Sequence, residues 1–187
     1  AKMVIELQYI DGASETIFTT SDWKAAQSPV LFDNLYAGET YDARMEQAQW
    51  SSPGFNDSHW APVEVMPAPT ENLIRQEMEP IRKIRAIQPV AVLPAANGEW
   101  ILDMGENLTG WLQIRVSEAP GTAITMRFAE HLMPDRKSID TASTGVRVTS
   151  ADQTAIYICK GGGPEDWEPR FTYHGFRYVQ ISGLSKK

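Results

Sequence analysis

The sequence predicts an all-β chain of two β-sandwich modules of jelly-roll type, the first of them whole or partial. Three observations carry that reading. Short runs of alternating or wholly apolar residues, rich in Val, Ile, Thr and aromatic side chains, recur along the chain and end at Gly, Pro, Asn or Asp; half-buried strands are written this way. Turn dipeptides stand between successive runs, as hairpins require. Twelve prolines and thirteen glycines interrupt most windows long enough for a helix.

Met3 to Ile10 and Glu15 to Thr20 come first, with Asp11-Gly12 between them as a hairpin turn. The stretch from Trp50 to Trp60 reads as a structural corner. In it Asp57 and Ser58 bond nearby backbone N–H groups, while Phe55 and Trp60 bury against a sheet. One short helical turn fits near Thr70 to Gln76, or around Trp50 to Trp60. Ile84 to Leu93 and Trp100 to Asp103 follow as strands, with Asn97-Gly98 turning between them. Gly110 to Ser117 is next, linked by Pro120-Gly121 to Ala123 to Glu130, and then come Ala155 to Lys160 and Tyr178 to Ile181. Arg82-Lys83-Ile84-Arg85 is the densest basic stretch and reads as the exposed face of a strand.

Pro67, Pro69 and Pro80 surround a polar stretch after the last aromatic cluster of the first half, which places a linker at residues 67–80. Residues 1–66 then form the first segment and 81–187 a complete second sandwich. The single cysteine, Cys159, lies inside the apolar run Ala155 to Cys159. It allows no internal disulfide and no cysteine-based metal site, and reads as a buried structural thiol.

A net charge of −7 excludes nucleic acid as the partner, because phosphate binding needs the Lys/Arg clusters this chain lacks. No apolar run approaches the roughly 18 to 20 residues needed to cross a bilayer, and the first residues show no basic segment followed by an apolar one. The chain reads as soluble with no membrane partner. Its compartment is unassigned, a secreted or periplasmic setting being compatible.

An ordered set of motifs runs the length of the chain: Gly38-Glu39-Thr40-Tyr41-Asp42-Ala43-Arg44, Gly110-Trp111, Arg127-Phe128-Ala129-Glu130-His131, Lys160-Gly161-Gly162-Gly163, and Trp167-Glu168-Pro169-Arg170-Phe171-Thr172-Tyr173-His174-Gly175-Phe176-Arg177-Tyr178. Together they resemble the non-catalytic N-terminal β-domains of bacterial α-L-rhamnosidases, the family 78 glycoside hydrolases. The resemblance implies that residues 1–66 are part of a carbohydrate-binding-like module and 81–187 the second β-module. It also implies a catalytic helical barrel beyond Lys187. The expected function is that of an ancillary region bracing the catalytic domain of an enzyme that removes terminal α-L-rhamnosyl groups. The alternative is a calcium-assisted module binding L-rhamnose or a related carbohydrate. The implied partners are the catalytic domain of the same protein and a rhamnose-containing carbohydrate.

Four stretches are candidates for chemistry. The loop from Phe32 to Asp42 gathers Asp33, Asn34, Glu39 and Asp42 around a glycine, and hard cations such as Ca²⁺ prefer such oxygens. The spacing matches no defined calcium loop, and turn-capping explains these residues equally well. Asp33 and Asn34 are the candidate metal ligands; no cofactor is required, and Ca²⁺ is the one candidate. Tyr36, Tyr41, Trp50, Phe55 and Trp60 supply aromatic faces of the kind that pack on a pyranose ring. With Glu39, the aromatics Tyr36, Tyr41 and Trp50 form the candidate sugar-binding set.

Asp103 to Trp111 reads as structural, with Gly105 and Asn107 forming tight backbone and Trp111 buried at a strand start. In the segment from Trp167 to Tyr178, Arg170 and Arg177 are expected to pair with Glu168 or Glu130, and His174 to fix a turn. Carboxylate pairs such as Glu39/Asp42 and Glu106/Glu130 are conceivable, but no spacing singles out the acid and base of a glycosidase. No catalytic residue is assigned. If bracing is the role, Trp50, Trp60 and Trp111 should be nearly fully buried.

Overall fold

The structure is a computed structural model describing residues 2–67, 74, 76–146 and 152–185. In chain order the strands are β1 (Val4–Gln8), β2 (Ser14–Phe18), β3 (Lys24–Ala25), β4 (Val30–Asn34), β5 (Gly38–Asp42), β6 (Ala61–Pro62), β7 (Ala91–Pro94), β8 (Trp100–Gly110), β9 (Ile114–Val116), β10 (Ala123–Ala129), β11 (His131–Leu132), β12 (Ile139–Asp140), β13 (Thr154–Ile158), β14 (Glu165–Trp167) and β15 (His174–Ser182). The only helical pieces among the described residues are short 3-10 turns, so the all-β expectation holds. No helix among them is long and apolar enough to cross a membrane.

The chain divides into two compact units, one made of residues 1–27 and 47–81 and the other of residues 28–46 and 82–187. The first unit holds two antiparallel ribbons. In one, β1 and β2 pair from Val4↔Phe18 to Gln8↔Ser14, and in the other β3 pairs with β6. The expected Asp11-Gly12 hairpin is present, with Gly12 at φ 87°. An aromatic corner packs within itself: Phe55 lies edge-on to Trp60 at 5.7 Å, and the Trp60 indole N–H donates to Gln47 Oε1 at 2.8 Å. None of the described residues of this unit is buried.

The second unit is built on a seven-stranded sheet in the order β4-β5-β13-β10-β15-β8-β7. All its pairings are antiparallel except β5 with β13, which run parallel through Thr40↔Ile156, Tyr41↔Tyr157 and Asp42↔Ile158. Because side chains alternate across a strand, β10 and β15 supply two faces. Ile124, Met126, Phe128, Phe176, Val179 and Ile181 enter the main core, where the β9-β14 ribbon covers them through Ile114 and Trp167. Ala129 and Tyr178 join Ile101 and Ile139 in a smaller cluster on the opposite face, beneath the β11-β12 ribbon. Cys159 is fully buried in the main core, as expected.

The hairpin at Asn97-Gly98 is also as expected. Both residues adopt positive φ, 58° and 77°, and β7 and β8 pair from Ala91↔Asp103 to Pro94↔Trp100. Several boundaries differ. The strand expected over Ile84 to Leu93 is confined to β7, and Arg82 to Arg85 is exposed without being in a strand. β8 runs on to Gly110 through a bulge: Asp103 pairs with Tyr178 and Leu108 with Phe176, leaving Met104 to Asn107 as extra residues. Gly105 sits in that bulge at φ 82°, and its N–H donates to Asp103 Oδ1 at 2.8 Å. The helical turn expected near residues 70–76 lies mostly outside the described residues. Around Trp50 to Trp60 there are only non-helical turns.

Candidate functional site

Two of the candidate sugar residues, Glu39 and Tyr41, line a depression of about 250 Å³ together with Val30, Glu46, Gln113 and the run Asp166-Trp167-Glu168 plus Arg170. β5 presents Glu39 and Tyr41 two residues apart, hence on one face. The parallel register brings Tyr41 beside Tyr157, with ring centroids 6.0 Å apart and planes 16° from parallel. Trp167 stacks on Tyr157 at 5.2 Å and tilts against Tyr41 at 6.0 Å. These three rings pack against one another, and Tyr157 and Trp167 are buried.

Polar groups around these rings are engaged in holding backbone. Glu39 is 1% exposed, and its Oε2 accepts the N–H groups of Arg170 and Phe171, each at 2.9 Å. Buried Glu165 accepts the Tyr157 hydroxyl at 2.8 Å and the N–H groups of Lys160 and Gly161 at 2.9 and 3.0 Å, clasping the glycine-rich turn. Burial raises the pKa of Glu165, but those donors outweigh it and leave the carboxyl below its usual range. The Tyr41 hydroxyl donates to Glu46 Oε1 at 3.0 Å, while Lys160 Nζ pairs with Glu46 Oε2 at 2.5 Å. Burial, then the Glu46 charge, pushes the Tyr41 phenol up to about 12. Chemically, the depression offers a neutral phenol beside carboxylates already bound to donors, an arrangement suited to holding loops.

The remaining candidates fall elsewhere. Asn34 Oδ1 accepts the N–H groups of Tyr36 and Ala37, both at 3.0 Å, and so caps the β4-β5 turn. Asp42 is tied to Arg44 through both carboxylate oxygens, with Nη2 at 2.7 Å, and also caps the following 3-10 turn by accepting the Arg44 N–H at 3.0 Å. Asp33 is exposed. No cluster of three or more His, Cys, Asp or Glu able to hold a metal ion occurs among the described residues. Tyr36 is 54% exposed in the β4-β5 turn, and Trp50, 61% exposed, belongs to the first unit.

Other expectations are corrected. Trp50 is exposed, while Trp60 and Trp111 are only half-buried, so the near-complete burial expected of the bracing role is not met at these three rings. The Trp111 indole N–H donates to Glu168 Oε2 at 2.8 Å, and Lys83 Nζ lies 5.9 Å from the centroid of its ring. Arg177 pairs with neither Glu168 nor Glu130 but makes a two-pronged pair with Asp103, at 2.8 and 3.0 Å. Arg170 contributes its backbone N–H to Glu39. His174 fixes no turn. It opens β15, is 1% exposed, and lies against Phe128 with centroids 4.4 Å apart. In the corner, Asn56 Oδ1 accepts the Ser58 N–H at 3.1 Å, while Asp57 pairs with Lys24. Glu46 and Trp167 were missed as members of the depression, and Glu165 as the carboxylate beside it, although the glycines of Lys160 to Gly163 signalled a turn needing a carboxylate to satisfy its N–H groups.

Comparison with known proteins gives a consistent family. A family model described as the α-L-rhamnosidase N-terminal domain matches residues 1–85, and one described as the bacterial α-L-rhamnosidase concanavalin-like domain matches residues 94–187. The chain is 38% identical over 186 residues to an α-L-rhamnosidase of Formosa agariphila, covering 100% of this chain and 20% of that protein. It is 41% identical over 184 residues to one of Streptomyces avermitilis, covering 98% and 17%. Among solved structures, it resembles the α-L-rhamnosidase of Streptomyces avermitilis complexed with L-rhamnose, with a TM-score of 0.85 and 40% identity over 98% of this chain and 18% of that one. It also resembles the α-L-rhamnosidase from Dictyoglumus thermophilum, with a TM-score of 0.88 and 36% identity over 100% and 20%. The chain thus spans about a fifth of the length of these relatives.

Proposed function

The chain belongs to the bacterial α-L-rhamnosidase family, and from that premise we propose that it is an ancillary β-region bracing the catalytic domain of a longer enzyme that hydrolyses terminal α-L-rhamnosyl groups. One observation carries the bracing role: the buried carboxylates Glu39 and Glu165 each accept two backbone N–H groups. Carboxylates so used rigidify loops and are unavailable for acid-base work on a glycosidic oxygen. Within the region, residues 1–66 serve as part of an N-terminal carbohydrate-binding-like module, 67–80 as linker and 81–187 as the second module. Residues 28–46 are lent to the second module's sheet.

A calcium-assisted sugar site draws less support. Asn34 Oδ1 and both Asp42 oxygens are engaged by protein donors, leaving Asp33 as the uncommitted oxygen ligand of the loop. The test uses the full-length enzyme. Bracing predicts that Glu39→Ala shortens the half-life of rhamnosidase activity on heating while kcat of the folded enzyme is unchanged. It also predicts that Trp50→Ala and Asp33→Ala leave calorimetric titration with L-rhamnose the same with and without Ca²⁺. Heat of rhamnose binding that needs Ca²⁺ and disappears in Asp33→Ala would replace bracing with sugar capture.

A further inference from the structure

The second layer of the seven-stranded unit is thinner than the first. It consists of β9 paired on one side with β14, and of the segment from Arg82 to Pro89, which belongs to no ladder among the described residues. Among the described residues the backbone of Arg82 to Pro89 makes no backbone hydrogen bond, and the next such bond along the chain is made by the Val90 N–H. Ile84 on this segment is 95% exposed. β9 and this segment flank one cavity of about 690 Å³, floored by apolar side chains of the main core that include Met104, Ile124, Phe176 and Ile181. An unladdered extended segment, a strand with one free edge and an apolar floor between them form the setting into which a further strand pairs.

The occupant is indicated by where the chain goes. After β15, Leu184 packs on the main core and lines this same cavity. The next residue is also held, the Ser185 N–H and hydroxyl both donating to Glu118 at 3.0 Å. The relatives are about five times longer than this chain. Resting on the reading that this region is part of such a longer polypeptide, we propose that the stretch following Lys187 enters the cavity as an extended strand. It lies between β9 and Arg82 to Gln88, its alternate apolar side chains on the core floor. The second sheet is thereby completed by chain that leads on toward the rest of the enzyme, tying the brace to what it braces.

The experiment uses the full-length protein, assayed for α-L-rhamnosidase activity in the same preparation. Hydrogen exchange should show residues 82–89 and 113–116 protected by about a hundredfold or more over open chain, as ladder amides are. A photo-crosslinker at an exposed position flanking the cavity, Ala86→p-benzoylphenylalanine or separately Gln113→p-benzoylphenylalanine, should capture a peptide from beyond residue 187. Capture of a second copy, capture of residues 1–81, or fast exchange without capture would each overturn the inserted strand. Any of these results in an active rhamnosidase removes the strand alone. Capture of the expected peptide in a protein without rhamnosidase activity removes the functional reading and keeps the strand.

Discussion

The carboxylate of Glu39, on an early strand, holds the backbone N–H of Arg170, 131 residues later, at 2.9 Å, and that of Phe171 at the same distance. The contact lies where β5 joins the sheet alongside β13, so it ties a segment contributed by the first third of the chain to the turn that precedes β15. The two N–H groups have no other acceptor among the described residues. Removing the carboxylate orphans both, and bonds to a charged acceptor contribute about 1.5 to 3 kcal/mol each. Glu39→Ala is expected to lower unfolding free energy by about 3 kcal/mol. Glu39→Gln, which keeps an acceptor oxygen, should recover part of it. Urea unfolding followed by the fluorescence of buried Trp167 measures both.

One residue before Glu39, the backbone comes closer still. Gly38 has φ 120°, and a Cβ built there would lie 1.8 Å from the Thr154 carbonyl oxygen. No rotamer relieves a clash between a Cβ and backbone, and the conformation is itself strained for any L side chain. Gly38→Ala is therefore expected to cost more than about 3 kcal/mol, or to prevent the sheet from accepting β4 and β5. Limited proteolysis between Ser28 and Glu46 would report the second outcome directly. Wild-type resistance to cleavage in the variant would refute it.

These two contacts also mark where sequence reading stopped. The hairpins at Asp11-Gly12 and Asn97-Gly98 were legible because they are local, each turn residue needing a φ that few others adopt. The apolar runs of β10 and β13 were legible because burial on alternate positions writes itself into period two. β4 and β5 were not, since Gly38, Glu39, Thr40 and Asp42 look like a polar loop. They are a strand because β13, over a hundred residues away, pairs with it in parallel and buries Glu39 against backbone donors. Oxygen-rich composition pointed to a cation at Asp33 and Asn34, yet the Asn34 side chain equally suits capping, and composition does not state which donor comes nearest. Ile84 to Leu93 failed for the opposite reason. It has a strand's residues throughout, but only its last three, Ala91 to Leu93, find a partner in β8, and among the described residues Ile84 to Pro89 lacks a neighbour to complete a ladder.

The pair between Asp103 and Arg177 joins β8 to β15 at the edge of the β8 bulge, where Asp103 also accepts the Gly105 N–H. Hydrogen bonding from Arg177 comes first among the causes that hold the Asp103 carboxyl below its ordinary 3.8. A carboxyl lowered on folding stabilises the protein above its unfolded pKa, and that contribution is lost as pH falls through the folded value. Arg177 is more than a third exposed, so screening leaves the pair a modest contribution, about 1 kcal/mol. Asp103→Asn should flatten the loss of stability below pH 4 while changing stability at pH 7 by about that amount. An unchanged acid limb in the variant would exclude Asp103 as its source.

His174 places an acid-side pH dependence in the core. Neither ring nitrogen has a hydrogen-bond partner among the described residues, the side chain is 1% exposed, and Phe128 lies against the ring. Burial pushes the imidazole down from 6.5 to about 4. The unfolded chain therefore takes up a proton at this residue near pH 6.5, whereas the folded chain does so only near pH 4. Stability is full above the unfolded value and declines as pH falls between the two, by about 3 kcal/mol for a shift of this size. Replacing the ring by an apolar side chain of similar bulk removes both the proton and the unpartnered nitrogens, a change that is neutral or stabilising when shape is kept. His174→Phe is thus expected to match or exceed the wild type at pH 7 and to exceed it clearly at pH 5. Thermal unfolding from pH 4 to 8 decides this: parallel curves for the two proteins would show that His174 is protonated at the same pH whether folded or unfolded, and that the acid sensitivity of the core arises elsewhere.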